Sequence, residues 1–279
     1  MKLLKFVGLI VATLLASTVE AAPSFSWYRP TSYAGSIPEE FDARVQWPQC
    51  PSIGTVQNEG CCPWSFVIAP TAVMSDRACI LSNGTRSRMY STVDVAGCCG
   101  SCADFGDDPS PDGCPSGGDP KAVWEYWIDV GIVSDRCFAA QRLEKCEIPR
   151  CYQHCNNAYG RSAYKDKVRG ESSYGVHSEV KDIQVEMLTY GPVQTTIRMY
   201  EDFKLYQSGV YRFEGVDDGA ANFLGDQHVR IIGWGREEDI DYWLCVNSFG
   251  PGWGIGGTFK ILRGSDHLGV ERNVRAGIP

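Results

Sequence analysis

The chain has 279 residues, 43% hydrophobic and 22% charged, the proportions of a folded protein with one large core or two medium ones. Its net charge of −8 and the lack of a long basic run exclude the electrostatic footprint of a nucleic-acid binder. No apolar run is long enough to span a bilayer.

In chain order, Lys2 and Lys5 precede the apolar run "FVGLIVATLLA", and "VEA" ends at Ala21. This is the pattern of a secretory signal peptide over 1–21. A polar segment rich in Ser, Pro and Tyr follows over 22–36 and reads as a short flexible leader. Residues 64–81 carry apolar side chains at near-helical spacing, and Pro70 inside them predicts a kink. Residues 98–120 are dense in Cys, Gly, Pro and Asp and predict stapled loops. A helix is predicted over 120–131, opened by Pro120 and closed by Gly131, and another over 178–192, stopped by Gly191 and Pro192. Beyond these come short β-branched and aromatic runs: "PVQTTIRMY", "GVYRF", "HVRIIGWG", "DYWLCVNSFG" and "GTFKILRG". A helical half followed by a strand-rich half defines an α+β protein with two lobes, and a cleft between lobes is a common ligand site.

Thirteen cysteines behind a signal peptide read as a disulfide framework, with at least one thiol left free or paired between chains. The cluster "CCGSC" could serve zinc in the cytosol, but here it reads as disulfide-forming, so no metal or other cofactor is expected. Asn83-Gly84-Thr85 is a glycosylation sequon.

Three stretches then carry a family resemblance: "IPEEFDARVQWPQCPSIGTVQNEGCC", "CCGSC…GCPSGGDPKAVWEYW" and "YWLCVNSFGPGWGIGGTFKILRGSDHLGVERNVRAGIP". From Ile37 to Pro279 the chain resembles the papain family of cysteine proteases, and within it the cathepsin B-like enzymes. The resemblance implies a peptidase domain over 37–279, with a helical left lobe over about 45–170, a β-barrel-like right lobe over about 171–279, and the active site in the groove between them. In that family a cysteine at the start of the central helix is the nucleophile. A histidine is its base, an asparagine orients the histidine, and a glutamine supports the oxyanion. Helix dipole and imidazolium favour the thiolate, the base must lie within hydrogen-bond reach, and the oxyanion needs aimed donors.

Carried over residue by residue, the resemblance puts Ser65 at the cysteine position, Gln227 at the histidine position and Glu59 at the glutamine position, and retains Asn247. Serine is harder to ionise than cysteine, glutamine takes no proton, and a glutamate carries charge where an oxyanion would form. His228 is the alternative base, but as the strand neighbour of Gln227 it would face Ser65 only if a residue were missing before Gly233. With no histidine to orient, Asn247 reads as a satisfied structural amide. Gly117, Gly118, Glu271 and Phe249 resemble the substrate-groove residues, and Trp253 another aromatic wall. The segment "CFAAQRLEKCEIPRCYQHC" is shorter than the family's occluding loop and lacks its paired histidines, with His154 left as a structural residue.

The resemblance also implies disulfides Cys50–Cys79, Cys62–Cys114, Cys98–Cys151, Cys99–Cys102 and Cys137–Cys155. Cys61, Cys146 and Cys245 remain; a Cys61–Cys146 bridge across the site is the sharper expectation, with Cys245 a buried free thiol. The expected protein is a catalytically inactive cathepsin B-like homologue that binds peptides, protease inhibitors or a protein partner in the groove. It would be secreted or held in a lysosome- or vacuole-like compartment. The alternatives are an atypical peptidase with Ser65 as nucleophile, and a structural role resting on the stapled fold.

Overall fold

The computed structural model describes residues 26–28 and 33–279, apart from 107–111, 147, 157, 161 and 216–221. The signal-like segment 1–21 and most of the expected leader lie outside the described residues.

The helices are α1 (Ala43–Gln46), α2 (Ser65–Leu81), α3 (Thr92–Cys98), α4 (Pro120–Asp129), α5 (Gln141–Glu144), α6 (Ala163–Asp166) and α7 (Val180–Tyr190). The strands are β1 (Ser26–Tyr28), β2 (Phe41–Asp42), β3 (Ala103–Asp104), β4 (Gly117–Gly118), β5 (Ser172–Val176) and β6 (Val193–Tyr200), then β7 (Val210–Tyr211), β8 (Phe223–Glu237), β9 (Ile240–Val246), β10 (Thr258–Leu262) and β11 (Arg275–Ile278).

Local chemistry explains the main boundaries. Asp119 caps α4 by accepting the Lys121 backbone N–H at 2.8 Å, and Pro120 occupies a first-turn position whose missing N–H costs nothing. Ser91 caps α3 through the Asp94 N–H. Gly191, with φ of 102°, ends α7 in a conformation that only glycine adopts readily. In α2 nearly every residue from Ser65 to Cys79 is buried, which is why its apolar residues show no single stripe.

The expected kink at Pro70 is not a break. Helix α2 runs unbroken through it. Proline removes one backbone bond, the one to the Phe66 carbonyl, and burial of both flanks holds the helix together despite a cost of about 3 kcal/mol. Nearby, the Thr71 hydroxyl donates to the Val67 carbonyl at 2.8 Å.

Eight strands form an open path in the order β1-β5-β11-β6-β8-β9-β10-β7, with β2 paired to β8 as the ninth. The sheet does not close into a barrel among the described residues. Its end strands β1 and β7 are three and two residues long, and each pairs on one side alone. Residues 26–28 also depart from the flexible leader expected there. They lie parallel to β5, with Ser26 opposite Tyr174, because β5 offers them an open edge.

Two apolar cores result. One packs around the sheet, with Trp234, Trp243, Phe203 and Phe259; the other packs around the helices, with Trp64, Trp124 and Trp127. Helix α2 lies between them, against α4 on one side and β8 and β11 on the other.

Six disulfides staple the fold. Five are the expected pairs Cys50–Cys79, Cys62–Cys114, Cys98–Cys151, Cys99–Cys102 and Cys137–Cys155, and the sixth is Cys61–Cys146. Cys245 is free and fully buried, and burial pushes its thiol pKa well above the usual range. Non-reducing peptide mapping of the native protein should therefore recover a peptide linked through Cys61 and Cys146, with Cys245 alkylated only after unfolding. Recovery of Cys61 and Cys146 as alkylated free thiols would contradict this pairing.

Candidate functional site

The loop 59–64 delivers the chain to the N-terminus of α2. Cys62 is tied to Cys114 and Cys61 to Cys146, so two bridges fix this loop on either side. Gly60 has φ of 70°, and a Cβ there would meet the Leu143 carbonyl oxygen at 2.3 Å. The segment 141–146 thus lies directly on the loop.

In front of Ser65 lies a groove of about 840 Å³, bounded by this loop, β4, β8 and the turn after β9. Glu59, Ser65, Gly117, Gly118, Gln227, His228 and Phe249 line it, so seven of the residues expected at the site meet in one place. Gly118 leaves no room for a side chain, since a Cβ would approach the Cys102 carbonyl and the Phe66 ring at 2.3 Å. Phe249 stands edge-on to Trp253, ring centroids 5.4 Å apart.

The register of β8 decides which side chains can act together. Strands β6 and β8 pair without interruption from Val193–Ile231 to Met199–Gly225, placing Ile197 opposite Gln227 and Thr196 opposite His228. Adjacent strand residues point to opposite faces. Accordingly, Gln227 Nε2 donates to Asn247 Oδ1 at 2.9 Å and to Ser248 Oγ at 3.0 Å. The His228 ring turns away, with Nδ1 2.9 Å from Thr196 Oγ1. Only the backbone of His228 reaches the serine: its N–H donates to Ser65 Oγ at 3.3 Å.

Ser248 Oγ passes the chain on by donating to Glu59 Oε2 at 2.8 Å. The result is a network of Asn247, Gln227, Ser248 and Glu59, in which the Glu59 carboxyl also faces the Gln227 amide and the Ser65 backbone N–H. Asn247 is only half satisfied, because its buried Nδ2 has no partner among the described residues. That differs from the fully satisfied amide expected. Ser248 was not singled out as a site residue in the sequence; its place immediately after Asn247 in "NSF" was the available signal.

Burial sets the charge states. It drives the Glu59 pKa up to about 7, against smaller opposing effects of Ser248, Gln227, the Ser65 N–H and Lys204. The fixed negative charge expected at Glu59 is therefore absent in weakly acidic solution. Glu59 is more basic folded than unfolded, so its contribution to stability is complete below pH 4.5 and is lost as pH rises through about 7. Burial also lowers the His228 pKa to about 4, with Arg275 adding to the effect and Asp119 opposing it, so the ring is neutral near pH 7.

Glu271 does not belong to the groove. It is buried, and its carboxylate accepts the Trp243 Nε1–H at 2.8 Å and the backbone N–H groups of Gly264 and Asp266, each at 2.6 Å. Those three donors pull it into the turn between β10 and β11. Asn273 and Arg275 line the groove instead. Asn273 lies in the turn before β11 and Arg275 is the first residue of that strand.

A groove between a buried helix N-terminus and a twisted sheet, with a polar network crossing it, is the architecture of a two-lobed peptidase. The papain family cysteine protease model matches residues 37–278, and the chain belongs to that family. It is 37% identical over 87% of its length to cathepsin B-like cysteine proteinase 6 of Caenorhabditis elegans, covering 67% of that protein. It is 34% identical to a cathepsin B-like cysteine proteinase of Schistosoma japonicum, over 87% of this chain and 73% of that one. Among solved structures, procathepsin B S9 from Trypanosoma congolense superposes with a TM-score of 0.79 at 30% identity, over 92% of this chain and 83% of that one. Among the described residues, no helix is long and apolar enough to cross a membrane.

Proposed function

We propose that this chain is a non-catalytic member of the cathepsin B-like group that binds peptide segments, from free peptides or protein inhibitors, in the groove before Ser65. The observation that carries the reading is the partner of Asn247. That partner is the Gln227 amide, which accepts no proton near neutral pH. Acyl transfer by Ser65 needs a base on Oγ, and the hydrogen bond at that atom comes from a backbone N–H. Glu59 faces the Ser65 backbone N–H, and the His228 ring is engaged by Thr196. Ser65 as nucleophile, the second reading, thus lacks an evident base on either side.

The six disulfides support passage through an oxidising compartment, and the sequon residue Asn83 is exposed in the turn after α2, where a glycan would meet no obstruction. The test is hydrolysis of a fluorogenic Arg-Arg peptide by the purified protein beside its Ser65→Ala variant. Both should match the blank. Turnover that vanishes in the variant would overturn the proposal and establish Ser65 as a nucleophile.

A further inference from the structure

The structure assigns Glu59 a second role, resting on the groove-binding reading: in its acid form it is a hydrogen-bond donor to a carbonyl oxygen of the bound peptide, so ligand capture is coupled to proton uptake. The geometry carries this. Glu59 lines the groove yet is only 8% exposed, and it sits where the first N–H of α2 emerges. One carboxyl oxygen, Oε2, accepts from Ser248, and the Glu59 backbone N–H is held by the Ser248 carbonyl at 2.9 Å. The side chain is thereby anchored from two points. When ionised, the carboxylate is acceptor-only and competes with any ligand carbonyl for the Ser65 N–H. When protonated, it gains an O–H donor of its own while its remaining acceptor capacity keeps the Ser65 N–H. A buried carboxylic acid kept neutral so that it can donate is an established physical device.

The surrounding groups leave Glu59 as the one expected to switch in weakly acidic to neutral solution. Ser248 and Gln227 have no titratable side chain, and Lys204 is the nearby cation that acts on Glu59. His228 is already neutral above about pH 4. Asp226 has a pKa raised by burial and offset by Arg198, and it lies on β8 next to Gln227 rather than in the network. Asp119 and Arg275 belong to the His228 end of the groove.

The experiment uses the whole protein and a capped heptapeptide with no titratable side chain, titrated calorimetrically at pH 5.5 and 8.5. Affinity is expected to fall roughly 10- to 30-fold at the higher pH, following proton linkage to a group near pH 7. Glu59→Gln keeps a donor at both pH values and should flatten the dependence, while Asp226→Asn should preserve it. Carbon-13 carboxyl NMR of the free protein should show a Glu59 resonance titrating near pH 7 that disappears in Glu59→Gln. Binding with equal affinity at both pH values, or a Glu59 resonance in the ordinary carboxylate range, overturns the proton coupling alone. No binding at either pH overturns the groove-binding reading and this inference with it.

Discussion

The double variant Ser65→Cys/Gln227→His is expected to hydrolyse the Arg-Arg peptide at pH 6, at a rate about 10²–10⁴-fold above either single variant, the usual contribution of a positioned general base. The positions are already prepared. A cysteine at 65 would open α2, where the helix dipole favours a thiolate. A histidine at 227 would replace an amide that already donates to Asn247 Oδ1. Neither change suffices alone: the thiol without a base stays largely protonated, and the base without a nucleophile has nothing to activate. The pH matters because the Glu59 acid remains mostly neutral below about 7 and can still donate. Adding Glu59→Gln should carry the gained activity up to pH 8. Circular dichroism and a thermal melt would confirm that the double variant is folded. A folded double variant without turnover would mean that the groove lacks more than a nucleophile and a base.

Arg77→Ala is expected to lower the unfolding free energy by about 3–5 kcal/mol, the cost of leaving one member of a buried ion pair uncompensated. The Arg77 and Glu186 side chains are both 0% exposed, and Nη1 lies 2.9 Å from Glu186 Oε1. Arg77 also donates to the Pro192 carbonyl at 2.8 Å, the Gly191 and Gly277 carbonyls at 3.2 Å, and the Tyr174 hydroxyl at 3.2 Å. Its removal strands a carboxylate whose other oxygen already has no partner among the described residues. The residue before it does related work: Asp76 accepts from Arg230 Nη1 at 2.6 Å, and Arg230 also holds the Ser52, Ile53 and Thr55 carbonyls. These two pairs join α2 to α7 and to β8, the strand that carries Gln227. Urea denaturation of Arg77→Ala and of Arg77→Met/Glu186→Met tests the claim. The double variant should recover most of the loss, since it leaves no buried charge. A loss below about 1 kcal/mol in Arg77→Ala would mean that solvent reaches the pair.

Much of this was legible in the residues alone. Helices α4 and α7 carry their own start and stop signals, Pro120 in one and Gly191-Pro192 in the other, and lie within two residues of their expected ends. Strands β6, β9 and β10 follow β-branched and aromatic runs. Strand β11, over "RAGI", was missed, because two small residues give no β signal and its place is set by pairing with β5 and β6. The place of Glu271 outside the groove lining was hidden for a similar reason. An acid near the right point in the chain is a local fact, whereas the three donors that capture it come from β9 and the turn after β10.

By itself, then, the sequence determined the fold class, five of the six cysteine pairs through resemblance, and which residue types are available beside the groove. The fold class rests on periodicity, turn chemistry and motif order, which are local, and the cysteine pairs rest on the family resemblance alone. The tertiary structure alone decided which partners the groove's side chains find, Asn247 and Ser248 for Gln227 and Thr196 for the His228 ring, and that burial lifts the Glu59 pKa to about 7. Strand register and desolvation are properties of neighbours brought together by folding, and no single stretch of chain encodes either one.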